Sequence, residues 1–209
     1  VDTEAIKPAP KLNRLRKVLG LEDHFVVSFA GIMGYSQDLD TILNCAGLLK
    51  DRRDIAFLLV GDGVEKPHLQ NMAQERHLDN VHFLPMQPRE EYPNVLAASD
   101  LCLVTLRKEV MTPVVPSKIL SIMAAGRPVL ASLPLEGDAP RLIAAAQAGI
   151  CVVPESPERL VEAILKLYQD SSMLDEMGAR GRNYAVKNLS LEACVKQLEE
   201  LFERTIANS

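Results

Sequence analysis

Six short apolar runs punctuate the first three quarters of the chain, over residues 25–30 (FVVSFA), 55–60 (IAFLLV), 81–84 (VHFL), 101–106 (LCLVTL), 128–131 (PVLA) and 150–153 (ICVV). They are nearly continuous rather than alternating, so each predicts a strand buried on both faces, as in a parallel sheet. Between them the apolar spacing becomes helical over 38–50, 64–77, 89–98, 117–125 and 138–148. Strand and helix therefore take turns. That alternation predicts an α/β domain, a Rossmann-like doubly wound parallel sheet of about six strands.

The two ends read differently. Residues 1–11 form a polar, proline-spaced leader, followed by helical spacing at Leu12, Leu15, Val18 and Leu19 that stops at Gly20. From residue 157 onward only helices are predicted, over 157–168, 172–186 and 191–206. Leu191, Val195, Leu198, Leu201 and Phe202 make an amphipathic stripe, expected to be the inner face of a packed helix. The expected organisation is a leader with a first helix over 1–22, then one domain over 23–209 that includes a C-terminal helical extension. A chain opening with Val1 instead of Met is expected to be an excised or trimmed segment.

A chain of 209 residues can bury a sizeable core without staples. Cys45, Cys102, Cys151 and Cys194 are far apart and form no C-x-x-C pair, so reduced thiols in a reducing compartment are expected. His24, His68, His77 and His82 lack zinc-ligand spacing, and no Asp-x-Asp pair ends a strand, so no metal site is expected. A formal net charge of −5 and few aromatics argue against nucleic acid as a partner. No apolar run is long enough to span a bilayer.

In a doubly wound sheet, ligands bind beyond the carboxyl ends of the strands. Three of those loops are polar or glycine-bearing: 31–37 (GIMGYSQ), 61–63 (GDG) and 107–116 (RKEVMTPVVP). Neither G-x-G-x-x-G nor G-x-x-x-x-G-K-[ST] occurs, which lowers the odds of a nicotinamide dehydrogenase or a P-loop nucleotidase. The densest signal is 114–131 (VVPSKILSIMAAGRPVLA). Pro116 and Ser117 are expected to stop a loop and cap a helix, Lys118 to place a cation in its first turn, and Gly126 with Pro128 to end it before a strand. Backbone N–H groups at such a start, backed by a lysine, suit a diphosphate. The competing reading is an ordinary crossover with a solvated lysine.

Six of these segments, in this order, resemble the C-terminal, donor-binding half of a GT-B glycosyltransferase. They are the leader VDTEAIKP, then FAGIMGYSQDLDTIL, LLVGDG, VHFLP, SDLCLV and PSKILSIMAAGRPVLA. The family is the large retaining one that includes sucrose and glycogen synthases and many bacterial surface-polysaccharide transferases. The PSK variant is most similar to those that move amino or deoxy sugars in capsule and O-antigen assembly. The resemblance implies one half of a GT-B fold and transfer of a sugar from a UDP- or GDP-linked donor to a polysaccharide or lipid-linked acceptor. The nucleotide sugar is then a substrate, and no separate cofactor is needed. It also implies an acceptor-binding N-terminal domain beyond this segment, so that this chain alone is inactive. A cytoplasmic protein is implied, with peripheral contact at the inner membrane left open.

Carried over by position, Gly31, Met33 and Gly34 match the phosphate-facing glycine loop, and Gly61 and Gly63 a turn lining the cleft. Pro85 and Met86 match the loop that reads the base, while Val115, Pro116, Ser117 and Lys118 match the diphosphate loop. Ile32 and Gln37 stand where many members have Arg and Lys, which leaves Lys118, then Arg107, to oppose the diphosphate. Lys118 is the expected catalytic residue. Pro113 and Ser121 stand where two glutamates are common, and a serine offers one hydroxyl where a carboxylate accepts two hydrogen bonds. Asp62 and Asp138 are single carboxylates, read as solvated or as helix caps, with Asp138 also a candidate contact to donor hydroxyls. Two alternatives stay open: a degenerate nucleotide-sugar binding module without chemistry, and an epimerase sharing the architecture.

Overall fold

The computed structural model describes residues 1–110 and 115–207. All six expected strands form: β1 (Phe25–Ala30), β2 (Ile55–Val60), β3 (Val81–Leu84), β4 (Leu101–Thr105), β5 (Val129–Ser132) and β6 (Gly149–Val152). They make one parallel sheet in the order β3-β2-β1-β4-β5-β6. The order reverses between β1 and β4, which opens a crevice above their carboxyl ends.

Helix α1 (Arg14–Leu19) precedes β1, and the α-helices between the strands are α2 (Leu39–Leu48), α3 (Lys66–Glu75), α4 (Tyr92–Ala97), α5 (Ser117–Ala124) and α6 (Asp138–Ala146). After β6 come α7 (Pro157–Tyr168), α8 (Ser171–Tyr184), a π-turn (Ala185–Leu189) and α9 (Leu191–Ala207). The continuous apolar runs are explained by burial on both faces. Val27, Phe29, Phe57 and Leu103 face a core formed with α2, α3 and α7, whereas Cys102, Val104, Val129 and Ala131 face one formed with α5 and α6. A third cluster joins Leu21, Val26, Leu58 and Val95 beneath α1 and α4.

Several boundaries move for local reasons. Helix α1 starts at Arg14, because the Asn13 side chain caps it by accepting from the Leu15 and Arg16 N–H groups. Pro128 has no N–H, so β5 begins at Val129, while the Pro128 carbonyl still accepts from Cys102 N at 3.1 Å. Strand β6 begins at Gly149, where a Cβ would lie 1.8 Å from Val129 O. Asp170 caps α8 by accepting from Met173 N at 2.9 Å, one residue ahead of the expected start. The expectation that the α9 stripe is an inner face is not met. Leu191, Leu198, Phe202 and Ile206 are all more than half exposed, because the chain turns outward at Ser190 and α9 meets the π-turn rather than the sheet.

The leader is tied to the body through its own backbone. Arg182 Nη1 donates to Thr3 O at 3.0 Å, Ile6 O at 2.9 Å and Ala124 O at 2.9 Å, so one guanidinium joins the leader to the last turn of α5. Arg127 Nη2 donates to Ala9 O and Ala97 O. Deeper, buried Arg16 pairs with Asp100, whose carboxylate also accepts from Val26 N at 2.8 Å and meets Lys11 at 3.1 Å. These side chains fix the base of the β1–β4 crevice from below.

Candidate functional site

Loops after β1 and β2 interlock before either can meet a ligand. Gly31 N donates to Val60 O at 2.9 Å, Met33 N to Asp62 O at 2.8 Å, and Met33 O accepts from Glu65 N at 3.0 Å. A Cβ on Gly61 would lie 1.9 Å from Gly31 O, and one on Gly63 would lie 2.3 Å from Met33 O; both glycines also have φ near +150°. Their lack of a side chain thus serves loop-to-loop contact, which accounts for the GDG turn without a ligand. Gly61→Ala is expected to cost at least about 2 kcal/mol, through strain and a backbone clash, read as a lowered urea midpoint.

The same contacts revise the reading of the glycine loop. The Met33 side chain is fully buried and its N–H is taken, so it stabilises the loop rather than facing an anion. Gly31 N is likewise engaged. Gly34 has φ −115°, a backbone any residue adopts, so its glycine is not required by conformation.

Lys118 is where the loop meets α5. Its Nζ donates to Gln37 Oε1 at 2.6 Å and lies 3.9 Å from the Phe29 ring centroid. A Cβ on Gly31 would stand 3.5 Å from that Nζ, so Gly31 (φ +146°) and the ammonium group are neighbours across the crevice. Burial depresses the Lys118 pKa to about 7. The side chain is half-buried and held by a neutral amide.

Helix α5 begins differently from its expected form. Pro116 occupies the N-cap position, where a proline side chain cannot cap, and Ser117 is the first helical residue. The start carries the positive end of the helix dipole. Val115 packs against the α5–α6 core, and Ser117 is exposed. Pro113 lies outside the described residues.

Other loops close around this point. Arg107 N donates to Ser36 O at 3.0 Å and its Nε to Tyr35 O at 2.6 Å, while the Thr105 hydroxyl donates to Gln37 O. Arg107 thus braces the glycine loop. Lys108 pairs with Glu155 at 3.1 Å, which draws in the loop after β6. Asp38 is buried in a left-handed conformation (φ 48°), its Oδ2 without a hydrogen-bond partner among the described residues and its pKa raised by burial. Pro85 and exposed Met86 follow β3, where Gln87 Nε2 donates to Pro85 O at 2.9 Å. Asp138 is the first residue of α6, exposed, 3.8 Å from Arg141.

The structure thus brings Gly31, Lys118 and Gln37 together, with Arg107 bracing the same loop. The pattern gave no sign of Lys66. Its Nζ donates to Gly61 O at 2.8 Å and to Leu84 O at 3.3 Å, tying the ends of β2 and β3. Nor did it point to Tyr92, the first residue of α4, which packs against the α5–α6 core. Among the described residues, no group of three or more His, Cys, Asp or Glu could hold a metal ion, and no helix is long and apolar enough to cross a membrane.

A sequence profile described as "Glycosyl transferases group 1" matches residues 13–184, most of the chain. The chain belongs to that family. It is 30% identical over 188 residues to the putative colanic acid biosynthesis glycosyl transferase WcaI of Escherichia coli (strain K12), covering 89% of this chain and 45% of WcaI. It is 27% identical over 203 residues to the alpha-D-kanosaminyltransferase of Streptomyces kanamyceticus, covering 96% of this chain and 50% of that enzyme. The chain therefore spans about half the length of these curated relatives.

Solved structures agree on the fold. Anabaena Alr3699/HepE, crystallised in complex with UDP and glucose, superposes with a TM-score of 0.83 at 21% identity, over 97% of this chain and 55% of that one. The C-terminal domain of the glycosyl transferase group 1 family protein LpcC from Francisella tularensis gives 0.75 at 20% identity, over 91% of this chain and 99% of that domain. The six-stranded Rossmann-like sheet of this group 1 chain is that of GT-B glycosyltransferases.

Proposed function

We propose that this chain is the donor-binding half of its glycosyltransferase and holds a nucleoside-diphosphate sugar in the β1–β4 crevice. The observation that carries this reading is Lys118. It sits in the first turn of α5, whose N-cap is a proline, anchored to Gln37 and adjacent to Gly31, where the strand order reverses. Breaking the bond from the anomeric carbon to the diphosphate leaves negative charge on the leaving group, which the Lys118 ammonium and the first N–H groups of α5 stabilise. Gln37 aims the cation without neutralising it. Pro85 and Met86 flank the base, and Asp138 at the start of α6 lies on the sugar side.

A UDP- or GDP-linked hexose, amino sugar or deoxy sugar is the donor, in keeping with the UDP and glucose seen in the Anabaena structure. The acceptor is a polysaccharide or lipid-linked glycan that a second domain binds, so this chain alone binds donor and transfers nothing. No metal is assigned a part. Calorimetric titration with UDP, GDP, ADP and pyrophosphate tests the reading. Saturable binding, tighter for one nucleoside diphosphate than for pyrophosphate, supports it, and absence of binding to all four contradicts it.

A further inference from the structure

Glu155 holds a backbone conformation that a residue with a side chain seldom adopts. Its φ is +56°, in the left-handed region, and it lies in the turn between β6 and α7. His77 and Gln147 share that conformation at the ends of α3 and α6, where it is common. In the turn before α7 a glycine would adopt it without strain. A glutamate there needs another reason.

The carboxylate supplies one. Oε1 accepts from Lys108 N at 3.2 Å and Oε2 lies 3.1 Å from Lys108 Nζ, so both oxygens grip one residue. The Lys108 N–H, and then its ammonium, hold the Glu155 carboxyl below the usual glutamate range. An exposed ion pair adds little by itself, but a bond to the main chain fixes the loop that carries it. Lys108 lies just past the end of β4 and Glu155 just past the end of β6, so the clasp spans two strand spacings, about 10 Å, across the carboxyl end of β5. On the other side, Arg107 N and Nε donate to Ser36 O and Tyr35 O. Residues 107–110 are thereby held between the loops after β1 and β6.

The proposed donor runs along the same edge of the sheet. Its base lies by Pro85 and Met86 after β3 and its diphosphate between Gly31 and α5, so in the same direction the transferred sugar meets the loops after β4 and β5. We infer that Glu155 is a positioning residue for that sugar: by clasping Lys108 it sets residues 107–110 as a wall of the sugar's seat. The inference rests on the donor-binding reading above. UDP, which lacks the transferred sugar, stops short of this wall.

The test compares UDP-glucose with UDP by calorimetry on the whole chain, in wild type, Glu155→Gly and Glu155→Gln, with Tm measured for each. Glu155→Gly removes the clasp and adopts φ +56° freely, so it is expected to weaken UDP-glucose about fivefold, the worth of one hydrogen bond, while UDP stays within about twofold and Tm falls no lower than in wild type. Glu155→Gln keeps an acceptor for Lys108 N and is expected to recover most of that loss. A merely structural clasp gives a different pattern, with Tm lowered and both ligands weakened alike. That pattern, or wild-type affinity for UDP-glucose in Glu155→Gly, overturns the inference. Failure of the wild type to bind either ligand instead overturns the donor-site reading, and the inference with it.

Discussion

Lys118→Ala is expected to weaken UDP binding about ten- to hundredfold, the worth of one charge-assisted contact to a phosphate oxygen in a partly desolvated site. The expectation follows from geometry. Lys118 is anchored by Gln37 over the Phe29 ring, within van der Waals reach of a Cβ on Gly31. The other cations near the crevice have work elsewhere: Lys66 ties strand ends, Lys108 pairs with Glu155, and Arg107 braces Tyr35 and Ser36. Calorimetry on the variant checks the loss. The same change carries a second signature, since a cation held in a place that depresses its pKa opposes folding. Lys118→Met is expected to raise Tm while weakening UDP binding as Lys118→Ala does. Equal UDP affinity in wild type and Lys118→Ala contradicts this account of the cation.

Affinity for UDP-glucose is expected to fall by up to about tenfold per pH unit above neutrality. In the free protein Lys118 has a pKa of about 7, lowered by burial alone. A bound diphosphate favours the ammonium form and raises that pKa, so the complex takes up a proton. Below pH 7 the lysine is already charged and affinity is level; above it, binding must first protonate the amine, until the raised pKa of the complex is passed. UDP-glucose is the right probe because its diphosphate has no terminal phosphate titrating in the same window. Lys118→Arg, charged at every pH tested, is expected to bind with a flat profile. A flat wild-type profile from about pH 6 to about pH 9 excludes Lys118 as the titrating contact.

The strands were readable because each run is bounded by turn residues and is short enough to be buried on both faces. Pro116, Lys118 and Gly126 also marked α5 in place. What escaped was set by contacts remote in sequence. Gln37 and Lys118 are 81 residues apart, and nothing in either local pattern tells of the bond between them. Gly61 and Gly63 resemble a ligand-lining turn, yet their missing side chains are demanded by carbonyls of the neighbouring loop. Met33 belongs to a glycine loop by position and to the core by burial. The α9 stripe has the periodicity of a packed helix, but periodicity records which face is apolar and is silent on what covers it.

Amide chemical-shift mapping by NMR, with UDP titrated to saturation, tests the central claim most directly. The account predicts the largest shifts at Ile32, Gly34, Ser117 and Lys118, with Met86 and Ser121 moving less and the lower edge of the sheet around His24 and His82 silent. Shifts centred on His24 and His82, which line a polar cavity beside the amino ends of β1 and β3, would place the nucleotide at the wrong end of the sheet and contradict it.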